Sequence, residues 1–324
     1  MTVDIQVQQL FIDFSGLPPS GSPPHPNTPP PTTPYDTLID ACHDSPALIQ
    51  RAYETHRTSR NAHQGAQLLA PSFAGMSVDP ILQELVHAAG TQRIPELEQA
   101  GREKRRQDEI DTRNCLTFWA RPTAAVREMV GEVQGRLRKL CSDIWLMPLD
   151  NLHLTVLEIA HSRTRPEIDA ITALLRPTLP LMVNLPSASA HRAVLIRPML
   201  SFDSAALAIS FVPEAATPES AYTYHHLRRD FYQAAVDSGA ACGSRYTVPS
   251  AHITVARFVT GGGVEDWDVG RREAWVSGIE RINAWIEREW SRVRWVVGEE
   301  RGVEFRRGLL WYGGGDAVAV GKPL

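Results

Sequence analysis

The chain has 324 residues, 43% apolar and 22% charged, with a formal charge of −4, which is enough apolar chain to build one large or two small domains and argues against wholesale disorder. No apolar run approaches the roughly 20 residues of a membrane span, and 33 Lys and Arg against 37 Asp and Glu supply no overall positive field for holding long nucleic acid. Cys42, Cys115, Cys141 and Cys242 form no CxxC; with Asp4 and Asp13 in an N-terminus that lacks a cationic region, this argues against a zinc site, a disulfide framework or a secretory signal, and fits the cytoplasm or the nucleus.

In chain order, residues 1–34 read as a flexible, Pro-rich tail. Nine of the 24 prolines fall between Pro18 and Pro34, and each removes a backbone donor and restricts its predecessor. PxxP spacing offers an SH3 or WW docking site as an alternative, but no flanking Arg is present to orient it. Residues 35–110 read as a helical extension: Leu38, Ile39 and Cys42, then Leu48, Ile49, Ala52 and Tyr53, recur at three- and four-residue spacing, and Asp79-Pro80 opens another helix carrying Ile81, Leu82, Leu85 and Val86. The basic run Arg102–Arg106 is diluted by Glu103, Asp108 and Glu109 and reads as a solvated helix face rather than a nucleic-acid patch.

From residue 111 to 324 strands and helices alternate. Strands are expected at 115–120, 152–159, 192–199, 206–213, 251–259, 293–298, 303–306 and 308–312, and helices at 123–141, 166–176, 220–238 and 272–290. Two halves of this region repeat one layout: a helix, a Pro-bearing approach and a strand that holds the same tripeptide.

Those strands read Leu152-His153-Leu154-Thr155-Val156 and Ala251-His252-Ile253-Thr254-Val255. Alone, His-x-Thr is a poor signal, and a third copy, His56-Arg57-Thr58, lies in a polar helical stretch as a chance match. In a strand, however, His and Thr project to one face while Leu154, Val156, Ile253 and Val255 point to the other. A solvated sheet face is the plainer reading of either strand alone. Two such strands in matching places point to a paired site. Facing imidazoles, with an ordinary pKa of about 6.5, suit acid–base work near neutral pH, one taking a proton and one giving it. Two Thr hydroxyls can hold the oxygens of an anion, so the set suits in-line attack at phosphorus. No metal or other cofactor is called for, and no ligand cluster for one stands in the sequence.

Two His-x-Thr strands framed by apolar residues resemble the 2H phosphoesterase superfamily, which includes RNA 2′,3′-cyclic phosphodiesterases once described as 2′-5′ RNA ligases. The resemblance covers about residues 112–324. It implies an α+β, bilobal fold of two antiparallel β-sheets facing a central cleft, helices outside, with one motif from each lobe. It implies catalytic roles for His153 with Thr155 and His252 with Thr254. The extended form His-x-Thr-x-x-Arg matches Arg257, implying a phosphate contact, although simple strand parity puts Arg257 on the opposite face from His252 unless the strand bulges or ends there. Pairing of Arg257 with Glu158, its equivalent in the first motif, is a rival reading. Aromatic rings would hold a nucleobase in such a cleft, and Trp119 and Tyr246 are the candidates, a core role being the alternative for each. His225-His226 lies in a helix, where neighbours point apart, and Gly261–Gly263 and Gly313–Gly315 read as turns rather than phosphate cradles.

The expectation is a monomeric, metal-independent phosphodiesterase acting on 2′,3′-cyclic phosphates of nucleotides or short RNA ends, without a membrane or a stable protein partner. The alternatives are a non-catalytic RNA- or nucleotide-binding module of the same fold, and a phosphodiesterase for another ester such as a 2′-5′ linkage or an RNA 3′ tail.

Overall fold

The structure is a computed structural model and describes residues 12–17, 33–89, 96–97, 110–215, 221–244, 246–259 and 263–324. Most of the Pro-rich stretch, the basic run at 102–106 and Gly261-Gly262 lie outside the described residues.

The extension begins with α1 (Asp36–Ala41) and α2 (Pro46–Leu69). Ser45 caps α2 by accepting from the Leu48 amide, and Pro46 takes the first turn, where its missing donor costs nothing. Ile49, Tyr53, His56, Gln64 and Leu68 form its buried stripe; burying Ile49 and Leu68 contributes roughly 1.5–3 kcal/mol each. Helix α3 (Pro80–Ala89) starts at Asp79, whose Oδ1 accepts from the Leu82 amide.

The remainder is α+β. Strands β1 (Asn114–Ala120), β2 (Trp145–Leu146), β3 (Leu154–Ala160), β4 (Val194–Phe202), β5 (Ala206–Pro213), β6 (Ala251–Arg257), β7 (Arg294–Val296), β8 (Val303–Leu309) and β9 (Asp316–Val320) form one nine-stranded antiparallel sheet, in the order β7-β4-β5-β6-β3-β1-β8-β9 with β2 on β6. The helices between them are α4 (Ala124–Leu140), α5 (Arg165–Leu175), α6 (Leu179–Val183), α7 (Tyr224–Asp237) and α8 (Val269–Trp290). Where two separate sheets are expected, a single sheet is found, but its halves join narrowly: β3 meets β6 through one register pair, Leu154 with Ile253. That pair consists of the middle residues of the two His-x-Thr motifs.

The expected elements recur with shifts of a few residues, except near the C-terminus. Residues 303–306 and 308–312 are not two strands. One strand, β8, runs through Gly308, at φ +106°, as far as Leu309, and the chain then turns. Strand β9 went unanticipated because Asp316–Val320 is an edge with no buried position to imprint an alternating pattern.

Two bulges decide which side chains share a face. In β3, Thr155 pairs with Trp119 and Leu157 with Phe118, so Val156 is the extra residue. In β6, Thr254 pairs with Ala208 and Ala256 with Leu207, so Val255 is extra. Both bulges fall just after the Thr of the motif, and each returns the next polar residue to the motif's own face. Glu158 and Arg257 are those residues.

Candidate active site

Alternation in the two strands is as the motifs require. Leu154, Val156, Ile253 and Val255 are at most 1% exposed, whereas His153, Thr155, His252 and Thr254 are half-buried. All four polar side chains line one cavity of about 280 Å³, together with Arg257, Tyr246, Trp119 and Glu158. Every residue that the sequence singles out as catalytic or substrate-binding is therefore brought to this one space.

Each imidazole is held from behind by the residue two positions earlier. His153 Nδ1 lies 2.9 Å from the carbonyl oxygen of Asn151, and His252 Nδ1 lies 2.9 Å from Ser250 Oγ. A carbonyl can only accept, so Nδ1 of His153 carries the proton and its Nε2 holds the lone pair when the ring is neutral. A Ser hydroxyl accepts or donates, so His252 keeps its anchor in either protonation state. Asn151 is itself fixed, its Nδ2 donating to the Gly313 carbonyl. Gly313, at φ +82°, is where the backbone passes closest: a Cβ there would lie 2.5 Å from the Asn151 carbonyl oxygen.

Trp119 does not offer an open platform for a base. It is 1% exposed, and the His153 ring stacks on it with centroids 3.8 Å apart and 17° between planes. Arg121 and Arg306 stand over the same indole, at 5.0 and 5.1 Å from its centroid. Its part is to fix the His153 ring. Tyr246 is half-buried, 6.1 Å from the His252 ring at a 48° tilt, and remains a wall of the cavity.

Arg257 faces the cavity because of the Val255 bulge. The carboxylate it meets is Asp79, with Nη1 3.4 Å from Oδ2. Asp79 also accepts from the Tyr312 hydroxyl at 3.0 Å, so the extension contacts both halves of the sheet at this one buried residue. Burial pushes the His153 imidazole down to about 3, with the positive charge of Arg121 adding to the shift. Burial likewise pushes His252 down to about 4, and Arg60 adds to it. Both rings are therefore neutral at pH 7, and a bound anion would raise both.

Sequence reasoning missed the other wall. Arg57, Arg60 and Gln64 of α2 line the cavity, as do Asp203, Ser201 and Ser210. Arg57 lies in the third His-x-Thr, His56-Arg57-Thr58, read as a chance match, while nothing marked Arg60 or Gln64, since Arg and Gln at helical spacing read as a solvated face. Thr117 also lines it, 4% exposed with Oγ1 unpaired among the described residues; its alternation with Trp119 along β1 was a signal that could have found it.

No known family profile matches the chain, and no curated protein matches it. Among solved structures, the chain is similar to the Thermus thermophilus protein TT0787, at 16% identity and a TM-score of 0.35 over 60% of this chain and 87% of that one. It is also similar to ATU0111, a conserved protein of unknown function from Agrobacterium tumefaciens, at 16% identity and a TM-score of 0.42 over 64% of this chain and 84% of the other.

Proposed function

We propose that the protein is a metal-independent phosphodiesterase that hydrolyses 2′,3′-cyclic phosphates, on nucleotides or at RNA ends, by paired-histidine acid–base catalysis. The observation that carries this reading is the pairing of Leu154 with Ile253, which sets motif against motif so that two His and two Thr line one cavity. The resemblance of the motifs to those of 2H phosphoesterases supports it, and on this reading the two halves of the sheet are that fold's two lobes.

On this reading the two rings divide the work. His153, with its Nε2 lone pair directed by the Asn151 carbonyl, takes the proton from water as the water oxygen attacks phosphorus. His252, whose Ser250 partner tolerates the imidazolium, protonates the ribose oxygen as its bond to phosphorus breaks. Thr155 and Thr254 donate to the non-bridging oxygens, and Arg257 offsets the charge that builds there. The proton gained by His153 and the one lost by His252 re-equilibrate through solvent, which returns the site to its starting state.

The purified protein is expected to open a nucleoside 2′,3′-cyclic phosphate in excess EDTA, and His153→Ala or His252→Ala should each lower kcat by at least the ~10² typical of losing an acid or a base. Full activity in either variant would overturn the reading. Binding of the cyclic nucleotide without turnover would instead mark a nucleotide-binding module.

A further inference from the structure

The catalytic reading uses the sheet alone, yet one wall of the cavity is not sheet. Helix α2 contributes His56, Arg57, Arg60 and Gln64, and the approach to α3 contributes Val78 to Ile81. This wall is fixed in place. Gln50 donates to the Pro213 carbonyl, Arg57 to those of Arg197 and Ser210, and Asn61 to that of Leu200, which ties α2 along β4 and β5. Arg60 is held twice, by the Phe202 carbonyl and, at 2.7 Å, by the Asp203 carboxylate.

Size and charge then point the same way. A volume of about 280 Å³ sits at the lower edge of the roughly 300–1,000 Å³ of ordinary small-molecule pockets. The charged lining balances, with Arg57, Arg60 and Arg257 against Asp79, Glu158 and Asp203. Arg60 and Arg257 already meet carboxylates. Such a lining accommodates one phosphodiester charge. A longer RNA end brings a further negative charge with each nucleotide and gains little from cations that are already partnered.

Resting on the phosphodiesterase reading above, we propose that α2 is a built-in selector: it admits a small, singly charged cyclic phosphodiester of mononucleoside size and turns away RNA ends, with Arg60 and Gln64 as its specificity-determining side chains. Arg60 and Gln64 are one helical turn apart and so meet the bound molecule from the same side.

The test compares kcat/KM of the full chain on adenosine 2′,3′-cyclic phosphate with that on a short oligoadenylate ending in a 2′,3′-cyclic phosphate. The mononucleotide should be favoured by roughly tenfold or more. In the Arg60→Lys/Gln64→Ala double variant, which keeps a cation beside Asp203 and is checked for folding by circular dichroism, the preference should shrink because turnover of the oligomer rises. Equal or faster turnover of the oligomer by the wild type overturns the selector while leaving the phosphodiesterase standing; turnover of neither substrate overturns both. An unchanged preference in the folded double variant removes α2 from the selection. Should the double variant not fold, Gln64→Ala alone carries that arm, and the wild-type comparison decides the substrate class by itself.

Discussion

Two histidines of identical motif differ in what stands behind them, and that difference is chemical. A carbonyl behind His153 fixes one tautomer, whereas a hydroxyl behind His252 permits two. Both rings titrate below the ordinary value of about 6.5, at about 3 and about 4. Between about 4 and 6.5 the unfolded chain therefore binds protons that the folded rings refuse, so their contribution to stability falls as pH drops through that window and is level above it. An anion reverses the bias by raising both values. Sulfate, whose charge is constant across this range, should bind more tightly at pH 5 than at pH 7.5, by up to about tenfold per pH unit for each ring that takes up a proton. The His252 ring should show an upward-shifted titration by NMR when sulfate is present. Binding that does not vary with pH, or an unmoved His252 titration, would contradict its role as the acid.

At the scale of elements, the motif strands were legible because their alternation is driven by burial: apolar residues flank each His and Thr and can face only the core. The bulges were not legible. One extra residue after each Thr, Val156 and Val255, reverses the parity of the residues that follow, Glu158 and Arg257 among them, and Val in a β run carries no mark of a bulge. Only the family resemblance put Arg257 on the motif's face, and it is a lining residue of the cavity. The seating of α2 was illegible for another reason: its polar contacts with β4 and β5 go to backbone carbonyls, which no side-chain pattern records. The turn at Gly313 belongs to the same scale. Gly313→Ala would force a Cβ to within 2.5 Å of the Asn151 carbonyl at φ +82°. It should cost about 1–3 kcal/mol of stability, read from thermal unfolding, and roughly tenfold in kcat through a displaced His153. A folded variant with unchanged kcat would show that the turn does not position the ring.

For the whole molecule, the composition excluded a strong positive field, and the structure adds that the cavity is locally balanced as well, with three Arg against three carboxylates. Catalysis should therefore be only weakly sensitive to salt. A plot of log kcat/KM against log salt concentration should have a slope of about −1 or shallower for the cyclic mononucleotide, as for one neutralised phosphate; a slope near −3 would reveal an extended phosphate track. The α+β character of the region from residue 111 onward was readable from its alternating strand and helix periodicities. Its closure into one sheet was not, because it depends on a single pair, Leu154 with Ile253.

The contact between Asn151 and Gly313 joins positions 162 residues apart in the chain. During synthesis the first histidine leaves the ribosome long before the turn that fixes its ring. The second histidine, 99 positions later, comes out with its anchoring serine already beside it, at position 250. A nascent chain halted before the β8–β9 turn would thus carry both motifs and both local anchors, but Asn151, which anchors the first ring, would lack the Gly313 carbonyl that holds it.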